Sequence, residues 1–246
     1  MAQRPVKSAD RTLEVFELFS RERRPLSMKE ISASLGYPGS STMYLLKALS
    51  SSGYLNYNKR FRNYFPTSRI RSIGSWIEGH LPDNTEVTDV MRHLRLKFGE
   101  TVAIGIQNDL NLQYLKAFES DYPIRYHIRE GGQRPLLEAA MGWMIMSGLP
   151  APAVEAICLR SNQLLRRQAY HCDEIGSRLE QVRKAGYCYI DDQVEPYFAS
   201  TVAMRLPVQY NGQDMVIGLG GEKTRIAGRT DEIIAEMTAA ITDLAH

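Results

Sequence analysis

The chain has 246 residues, 43% of them hydrophobic and 24% charged, which fits one or two domains of ordinary globular composition. No run of about 18 apolar residues suggests a membrane span, and residues 1–7 lead into an amphipathic stretch rather than a signal peptide's apolar core. Cys158, Cys172 and Cys188 are too few and too scattered for a disulfide framework, so a reducing cytoplasm is expected. The net charge of +2 conceals an asymmetry: residues 1–75 hold thirteen Lys and Arg against five acids, and the remainder holds seventeen against twenty-three. A basic module joined to an acidic one points to nucleic acid as a partner of the first, because clustered cations release counterions from phosphates.

In chain order, Ser8-Ala9-Asp10 offers caps to a helix whose apolar face is Leu13, Val15, Phe16, Leu18 and Phe19, ending near Ser20. Ser27-Met28-Lys29-Glu30 fits a capping box, and Gly36 closes the helix it opens. After the turn Tyr37-Pro38-Gly39, Ser40-Ser41-Thr42 caps a third helix with Leu45, Leu46 and Leu49 inward and Gly53 as its stop. Two short helices around a tight glycine turn predict a helix-turn-helix. Tyr54–Tyr57, a cationic tip at Asn58–Asn63 and a return at Tyr64-Phe65-Pro66 predict a wing.

In such modules the second helix enters the major groove by its N-terminal residues. That selects Ser40, Ser41, Thr42, Met43, Tyr44 and Lys47 as candidate DNA contacts, with Lys59, Arg60 and Arg62 on the wing for phosphate or the minor groove. Ser40 has helix capping as an alternative role, and Tyr44 has packing inside the domain.

Residues 26–72 resemble the DNA-binding domain of IclR-type bacterial regulators, on Leu35-Gly36-Tyr37-Pro38-Gly39-Ser40-Ser41 running through to Gly53-Tyr54. Gly39 stands where the family often has lysine and Tyr44 where it usually has arginine, so the recognition helix keeps only Lys47 as a cation.

Residues 68–80 predict a linker helix with Ile70, Ile73, Trp76 and Ile77. Asn84-Thr85-Glu86 caps another, whose stripe Val87, Val90, Met91 and Leu94 is either core or a dimer contact. From Gly99 the pattern is α+β: strands at 101–107, 112–118 and 124–128, helices near 136–147, 151–160 and 173–185, and a strand at 187–190. Strands at 202–208 and 215–219 flank the hairpin signal Asn211-Gly212, before a closing helix from 230 to 244.

This half resembles the GAF-like effector-binding domain of the same family, on Glu119-Ser120, Gly132-Gln133-Arg134-Pro135-Leu136, Ala140-Met141-Gly142, Gly186-Tyr187, Asp191-Asp192, Glu195-Pro196 and Leu206-Pro207-Val208. The resemblance covers residues 5–245 and implies three parts: a winged helix-turn-helix at 1–68, a linker helix at 69–82 and an effector domain at 83–246. It also implies an effector site drawn from Ser120, Arg125, Tyr126, Ile128, Leu137, Met141, Trp143, Glu195, Ala203, Gly218 and Gly220. Leu137, Ala203 and Gly218 stand where the family often has histidine, cysteine and serine, which predicts room for a bulkier effector. Arg125 with Tyr114, Tyr122, Tyr126 and Trp143 would clamp an aromatic carboxylate, with core or dimer packing as the other role of those rings.

Chemistry beyond binding has little support. His171-Cys172-Asp173-Glu174 lacks a second ligand pair at zinc spacing and fits an acidic helix start; Gly218-Leu219-Gly220-Gly221 lacks the Lys-Ser/Thr of a phosphate loop. No nucleophile elbow or cofactor motif occurs. The expectation is a cytoplasmic, dimeric or tetrameric regulator of a catabolic operon that binds operator DNA and a small organic acid, without a cofactor. The rivals are an enzyme with a DNA-binding head and an architectural DNA-binding protein.

Overall fold

A computed structural model describes residues 6–76, 85–165, 169–192 and 199–244, and every count below is of these. The chain divides into two compact units, Met1–His80 and Leu81–His246.

The first unit opens with α1 (Lys7–Glu22), which buries Val15, Leu18 and Phe19. The helix begins behind Val6 with no side-chain cap, in place of the expected Ser8–Asp10 cap. It also runs two residues past Ser20, until Arg23 adopts the left-handed region (φ 52°) and donates its N–H to Phe19 O. A two-residue strand β1 (Leu26–Ser27) precedes α2 (Met28–Leu35). The capping box forms as predicted: Glu30 N donates to Ser27 Oγ at 3.3 Å, and Ser27 N donates to Glu30 Oε2 at 2.8 Å. Gly36, at φ 67°, ends α2 in the left-handed conformation that glycine adopts without penalty. Helix α3 (Gly39–Ser51) starts earlier than its serines suggest, because Pro38 occupies the cap position. The hairpin β2 (Leu55–Asn58) and β3 (Asn63–Pro66) follows, with β1 on the other side of β3, and then α4 (Arg69–Gly74). Leu18, Leu26, Ile31, Leu46 and Leu55 share the core, each contributing about 1.5–3 kcal/mol by leaving water. The rest of the expected linker helix, from Ile77 on, and the Asn84 cap lie outside the described residues.

The second unit holds α5 (Thr85–Phe98), β4 (Thr101–Asn108), β5 (Asn111–Phe118), β6 (Gln133–Pro135), α6 (Ala140–Ser147) and α7 (Ala151–Leu165). It continues with α8 (Cys172–Ala185), β7 (Tyr187–Asp192), β8 (Ala199–Tyr210), β9 (Gln213–Glu222), α9 (Lys223–Ala227) and α10 (Thr230–Asp243). The strands form one antiparallel sheet in the order β6-β5-β4-β9-β8-β7. Alternation divides its faces: Val102, Ile104, Ile217 and Leu219 pack under α5 and α10, while Ala203 and Val216 pack under α6, α7 and α8. Val87, Met91 and Leu94 belong to the first of these layers and are core. Asn211 and Gly212 both take positive φ (49° and 73°), the turn that matches the twist of a β8–β9 hairpin.

Two expectations fail here. Residues 124–128 are not a strand, because Gln133–Pro135 occupies the free edge of β5 and the 124–128 backbone is held by side chains instead. Thr101 Oγ1 donates to Tyr126 O at 3.1 Å, and Arg225 Nη2 donates to Ile124 O at 3.1 Å. Cys158 of α7 and Cys172 at the start of α8, which the sequence did not pair, are joined by a disulfide with Cα atoms 5.9 Å apart. Asn162 Oδ1 accepts the N–H groups of Ala169 and Tyr170, just before α8. Cys188 remains a free thiol, and burial pushes its pKa up to about 12.

Candidate functional site

The first unit presents a cationic surface around α3 and the hairpin. Ser40, Met43, Tyr44 and Lys47 are exposed, and Tyr44 is 68% exposed, so its ring is not packed inside the domain. Thr42 is a correction: it is fully buried, and its hydroxyl lies 3.1 Å from Pro38 O, which withdraws it from any base edge. Ser41 is half-buried and likewise donates to Pro38 O at 2.9 Å. On the hairpin Lys59, Arg60 and Arg62 are exposed. The ion pairs of this unit, among the described residues, join Arg21 and Arg24 to Glu22 and Glu30 and leave the hairpin cations out. Residues 31–76 contain no Asp or Glu at all; Arg69 donates to Ser52 O and lies over the Tyr54 ring, while Lys47, Lys59, Arg60, Arg62 and Arg71 are exposed. Such a surface rewards phosphate.

The second unit contains a cavity of about 370 Å³, counting its mouth. Its floor is sheet: Thr101 and Ala103 of β4, Tyr114 of β5, Thr201 of β8, and Gly218 and Gly220 of β9. Its walls are Ala139, Ala140 and Met141 at the start of α6, Arg134 of β6, and Tyr126 and Ile128 of the irregular 119–132 segment. Arg134 is the cation of this lining. Burial raises the Tyr114 phenol above its ordinary pKa while the nearby Arg134 guanidinium pulls the other way, so the phenol is neutral at pH 7.

Of the residues expected at an effector site, Tyr126, Ile128, Met141, Gly218 and Gly220 come together here. Ser120 does not: it is buried at the root of the 119–132 segment, donating to Gly99 O at 2.6 Å and accepting from Tyr122 N at 3.1 Å. Arg125 is exposed and donates to Tyr122 O and Glu119, outside the lining. Leu137, Trp143 and Ala203 belong to the core, the Trp143 indole donating to Leu137 O at 3.0 Å. Glu195 lies outside the described residues. Nor do the small residues open extra room, as expected from the sequence. A Cβ on Gly218 would stand 2.8 Å from Met141 Cγ and Sδ, and one on Gly220 would stand 2.8 Å from Thr201 Oγ1. Met141 has filled the space that Gly218 leaves. Sequence reasoning missed Arg134 because Gly132–Leu136 looked like the approach to a helix. Its pairing with β5 as Leu112 against Arg134 has no local signal.

Residues 8–59 match the family described as the IclR helix-turn-helix domain, and residues 84–246 match the bacterial transcriptional regulator IclR C-terminal family. Among characterised proteins, the chain is 23% identical to the HTH-type transcriptional regulator XynR of Escherichia coli K12, over 77% of this chain and 76% of that one. It is 24% identical to KdgR of Dickeya chrysanthemi over 73% of this chain, a match that spans 60% of that regulator's length. Among solved structures it resembles the effector domain of an IclR transcriptional regulator from Acinetobacter sp. ADP1. The TM-score is 0.61 at 30% identity, covering 66% of this chain and 95% of that one.

Proposed function

The chain belongs to the IclR family of bacterial transcriptional regulators, and from that premise we propose that its second unit senses a small organic anion in the cavity beneath residues 119–132. The observation that carries this is Arg134 among Tyr114, Tyr126 and otherwise mostly apolar or small groups. A carboxylate is recognised by a guanidinium in a partly dry site far better than in water, and the apolar remainder of the ligand meets Ile128, Ala103 and Met141. The enclosed space is tight, so the reading favours the most compact acids, and a single aromatic ring enters only if Met141 or the 119–132 segment gives way. Such an acid fits the reading of a regulator of a catabolic operon.

In this reading the chain is a cytoplasmic homo-oligomer, in which cellular reductant would hold Cys158 and Cys172 as thiols, organised as a DNA-binding domain at 1–68, a linker helix at 69–82 and an effector domain at 83–246. Ser40, Met43, Tyr44 and Lys47 face the bases while the hairpin cations hold phosphate. The acid shifts DNA binding only if it binds one arrangement of the DNA heads more tightly than another. The relatives are transcriptional regulators rather than enzymes, which gives an enzyme with a DNA-binding head no support.

Calorimetry of the full chain with short aliphatic acids, benzoate-sized acids and the corresponding amides tests the anion reading. Acids should bind and amides should not, and Arg134→Met should weaken acid binding about 10- to 100-fold, the worth of a charge-assisted hydrogen-bond pair. No heat from any acid, or equal binding of acids and amides, refutes it.

A further inference from the structure

We propose that Cys158 and Cys172 form a reversible redox site, oxidised by a peroxide from two thiols to the disulfide, whose state is passed to the wall of the cavity. Their Cα atoms stand 5.9 Å apart on two different helices, within the reach of an S–S bond. The two sulfurs differ in access: Cys158 is fully buried on α7, whereas Cys172 is half-buried at the first position of α8. The first-turn N–H groups of α8 favour a thiolate at Cys172 while Asp173 and Glu174 oppose one. Access therefore decides which sulfur meets an oxidant first. Cys188 stays out of this chemistry, since it is 2% exposed on β7 and burial holds its proton.

The step balances with hydrogen peroxide as the oxidant. The Cys172 thiolate attacks one peroxide oxygen, the O–O bond breaks and hydroxide leaves, giving a sulfenic acid at Cys172. The Cys158 sulfur then attacks the Cys172 sulfur, its proton joins the departing hydroxide as water, and the S–S bond closes. Two thiols and one peroxide become one disulfide and two waters, with two electrons passing from sulfur to oxygen. Glutathione returns the pair by thiol–disulfide exchange. The reduced state also has a place in the fold, because Tyr170 O lies 3.7 Å from Cys158 Sγ and can receive its S–H. In the cytoplasmic protein proposed above, a disulfide that cellular reductant opens is a signal and not a staple.

The path from the bond to the cavity is short. Asn162, one turn beyond Cys158 on α7, donates Nδ2–H to Tyr170 O at 2.8 Å, and the Tyr170 hydroxyl donates to Glu138 Oε1 at 2.8 Å. Glu138 immediately precedes Ala139, Ala140 and Met141, which wall the cavity. Cys158 itself packs in the cluster that holds Leu137, Met141 and Trp143. Closing the bond anchors residues 170–172 to α7, and Tyr170 carries that anchor to the start of α6. Opening it leaves Asn162 and the first turn of α8 to hold the same residues.

The test starts from the full chain, reduced, freed of reductant and given one equivalent of hydrogen peroxide. Of its three thiols, two should be lost to alkylation, peptide mass mapping should find Cys158 joined to Cys172 within one chain, and glutathione should restore both. Cys158→Ser should trap the sulfenic acid at Cys172, where a cyclic diketone labels it, while Cys172→Ser takes no label and Cys188→Ser behaves as the parent protein. Peptides covering 136–141 should exchange hydrogen about fivefold more slowly in the oxidised protein than in the reduced one, the worth of about one tethering hydrogen bond. Tyr170→Phe should still form the bond and lose that difference. Three thiols surviving the peroxide, a bond between two chains, a label in Cys172→Ser, or a disulfide that glutathione does not open would overturn the site. Equal exchange in the two states of the parent protein, or an undiminished difference in Tyr170→Phe, would overturn its link to the cavity. Thiol counts and exchange rates need no effector, so they decide the inference even where no acid binds.

Discussion

Glu100 and Arg225 offer the sharpest quantitative test of how the cavity is held. The Glu100 side chain is 3% exposed, and its carboxylate receives Arg225 Nε and, at 3.0 Å, Arg225 Nη2. The same guanidinium donates to Ile124 O and lies 4.2 Å from the centre of the Tyr122 ring, so it ties α9 to the segment that walls the cavity. Arg225→Met removes the cation and leaves a carboxylate in the interior. Breaking one side of a buried pair costs about 3–5 kcal/mol. Because the Arg225 side chain is 29% exposed, water screens part of that, and about 2–3 kcal/mol is the expected loss. For a unit of this size that is about 4–12 °C in Tm. The double variant Glu100→Leu with Arg225→Met should recover most of the loss, since an apolar pair has no ions to desolvate. Hydrogen exchange of peptides spanning 119–128 should rise in the single variant, reporting the freed segment. A single variant that melts within 2 °C of the parent protein, or a double variant no more stable than the single, refutes the reasoning.

Two further outcomes follow from local chemistry. The Cys158–Cys172 bond closes a loop of sequence separation 14, for which chain entropy predicts about 3 kcal/mol of stabilisation. Cys172→Ser should lower the urea midpoint by that equivalent, reductant should bring the parent protein down to meet it, and an unmoved midpoint under reductant would contradict the bond's contribution. Glu30 is held at a pKa of about 2, chiefly by the Ser27 backbone N–H and then by Arg24 and the Ser27 hydroxyl. Its folded pKa lies below the unfolded value of about 4.3, so its contribution is complete above that pH and disappears as pH falls through about 2. The stability gap between parent and Glu30→Gln, measured by circular dichroism, should therefore be larger at pH 6 than at pH 2; an equal gap at both would show that the capping carboxylate is not its source.

The DNA-binding unit was the more legible part of the chain, because its signals are local. The Ser27–Glu30 box, the Gly36 stop and the polar hairpin tip each report within four or five residues. Where local reasoning erred, a competing local group had won. Pro38 displaced the serines at the cap of α3, and Thr42 turned inward to Pro38 O. The cavity was only half legible. Tyr126, Ile128, Met141, Gly218 and Gly220 were reached through family resemblance, but Arg125 was chosen over Arg134. That choice depends on which segment completes the edge of β5, a pairing across more than twenty residues, such as Leu112 with Arg134, that leaves no periodic trace. Likewise, reading Gly218 as vacancy assumed that an absent side chain leaves a hole. Its partner on α6 had already closed it.

That closure has a consequence for what the protein can learn to sense. All eight residues of α6 are buried, three of them methionine, and Met141 both lines the cavity and sits over Gly218 and Gly105. An unbranched thioether can re-pack by rotating about its own bonds, without asking the backbone to move. A cavity whose outline is drawn by such a side chain, on a helix locked on every side, is a soft die in a rigid mount. If the proposed effector does bind in this cavity, its preference can drift by single exchanges at position 141 while the sheet and its helices stay as they are.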